Sequence, residues 1–87
     1  MHELSLMKDF IHKIESVAKA QGVRKVVGVH VKLGALCHIS PNHFAEHFVE
    51  SSVGTVAEGA NLEIDIQEDI THPQAQDVLL DKIIAEE

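Results

Sequence analysis

Met1, His2 and Glu3 are the residues of this 87-residue chain whose types and spacing best suit metal chemistry. The Met1 amine and the His2 backbone amide close one chelate ring, and the same amide closes a second ring with the His2 imidazole. Glu3 adds another amide nitrogen or its carboxylate as a further donor. Such a compact nitrogen-rich set suits square-planar Ni(II) or Cu(II) better than tetrahedral zinc. Considered alone, the tripeptide is also typical of a frayed polar terminus.

Other histidines and the one cysteine are weaker candidates for metal ligands. His43 and His47 have the spacing that binds a metal from one helical face, but neither a third ligand nor the glutamate of an HExxH motif accompanies them. Cys37 lies beside His38, and as the only cysteine it excludes an internal disulfide and a cysteine-based zinc site. His72 precedes a proline, and we interpret it as an exposed loop residue.

The segment that follows the tripeptide predicts an amphipathic helix from Glu3 to about Ala20. Its apolar residues recur at the spacing of one helical stripe: Met7, Phe10, Ile11, Ile14, Val17 and Ala18. Gly22 is the expected stop. Because the helix begins at the tripeptide, it would join the candidate ligands to a packed element.

Two strands and a second helix come next. Apolar residues alternate in two segments, which predicts half-buried strands: Val27, Val29, Val31 and Leu33, then Leu62, Ile64 and Ile66. His30 falls on the solvent side of the first strand. Ser40 and Pro41 match an N-cap and a first helical residue, and this helix should end near Gly54. Its expected inward residues are Phe44, Ala45, Phe48 and Val49. The strand-helix-strand order makes the strands parallel, with a right-handed crossover.

The pattern of residues 78–85 is ambiguous. They can form a helix with Leu79, Leu80, Ile83 and Ile84 on one side. They can also form a strand with a bulge at Asp81-Lys82, which would direct Val78, Leu80, Ile83 and Ala85 inward. Periodicity slightly favours the helix.

Composition argues against several functional classes. The formal charge is −7, residues 1–32 hold six of the seven Lys/Arg, and only three residues are aromatic. The chain therefore lacks the basic surface and the stacking platform of nucleic-acid-binding proteins. The asymmetry fits two solvated faces or a polarised surface that orients a protein partner. A cytoplasmic location is expected, because a small secreted domain would more often be held together by disulfides than carry one cysteine. Neither a signal peptide nor an apolar run of the roughly 18 residues that a membrane span needs is present. No catalytic motif appears, so an enzyme is not expected.

Three segments resemble the HypA/HybF family of nickel metallochaperones for nickel-iron hydrogenase maturation. They are Met1-His2-Glu3-Leu4-Ser5-Leu6, Val29-His30-Val31-Lys32-Leu33-Gly34-Ala35-Leu36 and Thr55-Val56-Ala57-Glu58-Gly59-Ala60-Asn61-Leu62-Glu63-Ile64. The resemblance runs from Met1 to about Glu68, and the elements occur in the same order. It implies that Met1, His2 and Glu3 bind Ni(II).

The resemblance also implies the fold. The expected class is an α/β (α+β) two-layer sandwich in the order α-β-α-β-β, with both helices on one face of a three-stranded mixed sheet. It implies that residues 78–86 form the third strand, pairing beside the second, because a two-stranded sheet would cover the helices poorly.

One large departure separates this chain from the family. Members insert a zinc-binding domain with two CxxC pairs between the second and third strands, whereas residues 69–77 bridge these strands here. Residues 1–87 are therefore expected to form a single HypA-like nickel-binding domain with no structural zinc. A smaller departure is Ala35, where members often carry Glu.

The function implied by the resemblance is that of a nickel-binding, metallochaperone-like protein that delivers Ni(II) for hydrogenase maturation. The implied partners are the maturation GTPase and the hydrogenase large subunit. Neither nucleic acid nor a membrane is an expected partner, and a monomer or weak homodimer is expected. The alternative is a non-metal interaction module that competes with or regulates a full-length HypA-type chaperone.

Overall fold

The computed structural model describes the backbone of residues 3–86 and the side chains from Ser5 onward. The elements, in chain order, are α1 (Glu3–Ala20), β1 (Val26–Leu33), α2 (Pro41–Ser51), β2 (Asn61–Ile66) and β3 (Val78–Ala85). This order, with a three-stranded mixed sheet, confirms the predicted α+β class. The last segment is a strand, which confirms the strand that the family resemblance implies over the helix that periodicity slightly favours.

The central strand of the sheet is β1, because the strand order is β2-β1-β3. The β1–β2 pair is parallel, as predicted, and the β1–β3 pair is antiparallel. The expectation that the third strand pairs beside the second is wrong. Burial explains the difference: Val29, Val31 and Leu33 of β1 are at most 1% exposed. A strand so deeply buried needs hydrogen-bond partners for its backbone along both edges.

A register irregularity near the start of β1 changes which valines face the core. It lies between Val26 and Gly28 in the pairing with β3. Val26 is fully buried, whereas Val27 is 39% exposed. The prediction that Val27 faces inward is therefore wrong, because a bulge interrupts the period-two alternation on which it rests.

A second irregularity lies in β3 at the predicted bulge. Lys82 pairs with His30 and Leu80 pairs with Val31, so Asp81 is the extra residue. Hydrophobic residues on both sides of the bulge pack against the core: Val78, Leu80 and Ile83. The bulged strand is thus the correct interpretation of this segment.

The helices supply the other half of the core. On α1, Met7 and Ile14 are fully buried, and the Phe10 ring meets Phe44 of α2 edge-on at 5.3 Å. The Ser40 hydroxyl caps α2, as predicted, by accepting a hydrogen bond from the His43 backbone N–H. No helix within residues 3–86 has the length and hydropathy needed to cross a membrane.

The prediction that Val49 faces inward is wrong. Phe44 and Phe48 of α2 are buried, but Val49 is 66% exposed. Val49 lies about 100° around the helix from Phe48, beyond the narrow stripe that the two rings define.

The loop between β2 and β3, residues 67–77, crosses the C-terminal end of β1. The Gln67 N–H donates to the Leu33 carbonyl at 2.8 Å, and the Leu36 N–H donates to the Ala75 carbonyl at 2.7 Å. The Gly34 N–H donates to the Asp77 carbonyl at 2.9 Å. These bonds carry the chain from one edge of β1 to the other, where β3 begins.

Candidate metal site

The predicted ligands are Met1, His2 and Glu3, and α1 begins at the third of them. Met1 and His2 lie outside the described residues, and Glu3 is the first residue of the helix, with a side chain that is also outside the description. The assignment of these three residues as ligands therefore stays a prediction. Immediately after them, the chain is anchored, because Met7 is fully buried and Leu6 packs against the core.

A groove of about 330 Å³ runs beside the first turns of α1. Its helix side is formed by Leu6, Asp9, Phe10 and Lys13, and its other side by residues 76–79. Half of the lining residues are apolar, and the charged ones are Asp9 and Lys13 on the helix side and Asp77 on the other. The groove follows the start of β3, so it belongs to an edge of the sheet as well as to the helix.

His30 is less exposed than a plain surface histidine, and it has a carboxylate partner. Its Nε2 lies 3.3 Å from Oε2 of Glu63, the residue opposite it on β2. The two side chains are 19% and 71% exposed, and the contact becomes an ion pair when the imidazole is protonated. The sequence contains a signal for this partner, because Glu63 occupies a solvent-facing position of the parallel neighbouring strand.

The remaining histidines do not form a metal site in the part of the chain that the structure describes. The rings of His43 and His47 lie 6.3 Å apart. The His72 Nδ1 accepts a hydrogen bond from the Gln74 N–H at 3.0 Å, which ties it to its own turn. Among the side chains of residues 5–86, no three of His, Cys, Asp or Glu come together in a way that could hold a metal ion.

Cys37 and His38 lie in the turn between β1 and α2. The Cys37 thiol is half-buried and points to the Ile39 carbonyl oxygen at 3.7 Å. His38 is exposed and has a φ of 60°, an uncommon backbone conformation that belongs to a turn. These contacts agree with packing of the loop, which is the ordinary interpretation of both residues.

The loop between β2 and β3 has its own ordered turn. The side chain of Asp69 accepts hydrogen bonds from the Thr71 hydroxyl at 2.6 Å and from the Thr71 N–H at 2.9 Å. The hydroxyl bond, followed by the backbone bond, lowers the pKa of Asp69 below its ordinary value. Ala75 in the same loop is only 3% exposed, so part of this segment is core rather than linker.

Comparison with known proteins identifies relatives over most of the chain. A family model described as "Hydrogenase/urease nickel incorporation, metallochaperone, hypA" matches residues 1–72. A hydrogenase maturation factor HypA from Acidithiobacillus ferrooxidans is 39% identical over 64 residues, which are 74% of this chain and 57% of the relative. The factor of the same name from Methylocella silvestris is 38% identical over 66 residues, covering 76% and 58% of the two chains.

A hydrogenase maturation factor HypA from Archaeoglobus fulgidus is 36% identical over 67 residues, covering 77% of this chain and 61% of the relative. The chain thus spans about three-fifths of the length of the curated relatives that it matches. The matched region begins at Met1 and includes both helices and the first two strands. The chain belongs to the HypA family.

Proposed function

We propose that this chain binds Ni(II) through Met1, His2 and Glu3 and carries it for incorporation into hydrogenase. The observation that carries the proposal is the family match, which starts at residue 1 and so includes the predicted chelate. The description of that family names nickel incorporation. The donor set is chemically suited to the ion, because an amine, amide nitrogens and an imidazole favour square-planar coordination.

The fold supports this role in two ways. α1 begins at Glu3, and its inner face is buried from Met7 onward, so the ligand-bearing end is attached to the core. The described residues offer no competing cluster of three donors. Delivery would involve the partners that the family relationship implies, namely the maturation GTPase and the hydrogenase large subunit.

We further propose that residues 1–87 act as one domain without structural zinc. Only one cysteine is present, and the 67–77 loop closes the gap between β2 and β3 by bonding to the end of β1. Metal analysis of protein prepared with excess zinc should therefore find no stoichiometric, tightly held zinc. A tightly bound equivalent would contradict this part of the proposal.

Calorimetry with Ni(II) tests the site. Protein with its native Met1 amine should bind one equivalent tightly, whereas His2→Ala and a form with one glycine added before Met1 should lose that binding. His12→Ala is the matched control, because it removes an exposed histidine from α1, outside the predicted chelate. Equal nickel affinities for the native and glycine-extended proteins would refute the site. Circular dichroism should show the same fold in all four proteins.

An absorption titration gives an independent readout. A square-planar nitrogen-ligated Ni(II) complex has a visible d–d band, so the native protein should develop this band and the glycine-extended form should not. If native protein ignores nickel but still binds a full-length chaperone's partner, the alternative role as a competing interaction module is the correct one. The polarised charge of the chain is the feature that favours such a role.

A further inference from the structure

The outer edge of β3 is open and apolar. β3 pairs with β1 along one edge, and no strand among residues 3–86 pairs along the other. Leu79, Leu80 and Ile83 are half-buried, and Ile84 is 44% exposed. An uncovered edge of this composition is a template for another strand.

We propose that this edge joins two copies of the chain by antiparallel β3–β3 pairing, with the twofold axis between Asp81 and Lys82. The strand reads Val-Leu-Leu-Asp-Lys-Ile-Ile-Ala, which is self-complementary about that point. Asp81 would face Lys82 of the second copy, and Leu80 would face its Ile83. A twofold interface repeats each contact, so the pairing contains two opposite-charge pairs flanked by apolar pairs.

The bulge makes the backbone of this edge symmetric. The Gly34 N–H donates to the Asp77 carbonyl, and the Glu86 N–H donates to the Lys25 carbonyl. The backbone N–H and C=O groups of Asp77 and Glu86 therefore point toward β1. Backbone groups alternate sides along a strand. Counting inward from the two ends, the backbone N–H and C=O groups of both Leu80 and Ile83 point toward the open edge. Without the extra residue Asp81, the backbone groups of Leu80 and Ile83 would point to opposite edges of β3. Leu80 of one copy could then not form hydrogen bonds with Ile83 of the other.

A second copy fits β3 better than β2. The solvent-facing side chains of β2 include Glu63 and Asp65, both exposed, and self-pairing of that strand would bring acidic groups together. In the proposed β3 pairing, Lys82 of each copy would face the Asp81 carboxylate of the other. In this pairing Ala85 of the second copy would lie opposite Val78, which lines the groove between α1 and the start of β3. The groove would leave room for the end of the second copy's β3.

Sedimentation equilibrium on the metal-free chain, from micromolar concentrations to about 1 mM, tests the proposal. The native protein should show a monomer–dimer equilibrium that stops at the dimer. Asp81→Lys and Lys82→Asp should each weaken dimerisation at least about tenfold, because each variant places like charges opposite one another. The double exchange Asp81→Lys with Lys82→Asp should restore the dimer constant to within about threefold.

Asp65→Lys is the matched control, since it changes an exposed carboxylate on the other edge strand and should leave the dimer constant unchanged. Hydrogen exchange provides a local readout, in which the amides of Leu80 and Ile83 become more protected as protein concentration rises. A protein that is monomeric at 1 mM, a double exchange that fails to restore the dimer, or growth beyond a dimer would overturn the proposal. Circular dichroism would identify any variant that fails to fold, and the exchange data on native protein would still decide.

Discussion

Gly34, which follows the last residue of β1, and Ala75, in the loop between β2 and β3, are in direct backbone contact. A β-carbon at position 34 would overlap the Ala75 carbonyl oxygen and lie 2.8 Å from the Gln74 carbonyl oxygen. Gly34 does not have a positive φ, so the glycine is needed for space rather than for conformation. The contact positions the loop that brings β3 to its place beside β1.

Gly34→Ala should therefore destabilise the fold by about 1–3 kcal/mol, because the obstructing atoms belong to the backbone and cannot rotate away. Urea unfolding followed by circular dichroism measures the change. Gly28→Ala is the comparison: its β-carbon would lie 3.1 Å from Ile84 Cδ1 and 3.2 Å from Ile84 Cβ, which is tight but does not overlap backbone atoms as the β-carbon at position 34 does. A loss of stability at position 28 equal to that at position 34 would contradict this account.

The aromatic contact between the helices should dominate the packing of α2. Phe44→Ala should cost about 3–5 kcal/mol, because the ring is fully buried and meets Phe10 edge-on. Val49→Ala should change the free energy of unfolding by less than about 0.5 kcal/mol, since Val49 is 66% exposed. Thermal unfolding of both variants tests the pair, and a large loss at position 49 would show that α2 is rotated from the described orientation.

Asp69 should titrate at a lower pH than an ordinary aspartate. The Thr71 hydroxyl bond is the main cause of the lowered pKa, so Thr71→Val should raise the pKa of Asp69 toward its ordinary value. A lowered pKa favours the folded state above the pKa of the unfolded chain, and this contribution disappears as the pH falls through the pKa of the folded state. NMR titration of the Asp69 carboxyl group in the native and Thr71→Val proteins gives the comparison. Identical titration curves would show that the Thr71 hydroxyl does not lower the pKa of Asp69.

Nickel binding, if it occurs at the proposed terminus, should strengthen steeply as the pH rises. The α-amine has an ordinary pKa of roughly 8 and the imidazole one of roughly 6.5, and each must lose its proton to bind the ion. The backbone amide of His2 must also be deprotonated. Calorimetry in buffers of different ionisation enthalpy should detect proton release upon binding. Affinity that is independent of pH between 6 and roughly 8 would exclude this chelate.

The residue pattern determined the first four elements and their order, because α1, β1, α2 and β2 each show the period of their own secondary structure, whereas it left residues 78–85 open between helix and strand. The Ser40 cap and the bulge at Asp81 were also predictable, since a capping residue and a break in alternation are local features. The tripeptide ligands were chosen from sequence chemistry and resemblance, and they remain a prediction, because Met1 and His2 lie outside the described residues.

Tertiary structure decided the features that depend on non-local contacts. Alternation cannot show which edge of β1 receives β3, because that choice rests on the loop bonds to Gly34 and Leu36. It also could not place Val27 or Val49, since a register shift in the β1–β3 pairing and the width of the α2 stripe determine their exposure. The His30–Glu63 contact likewise forms only when β1 and β2 are brought into register. Local periodicity specifies which face a residue prefers, whereas only the assembled sheet specifies what that face meets.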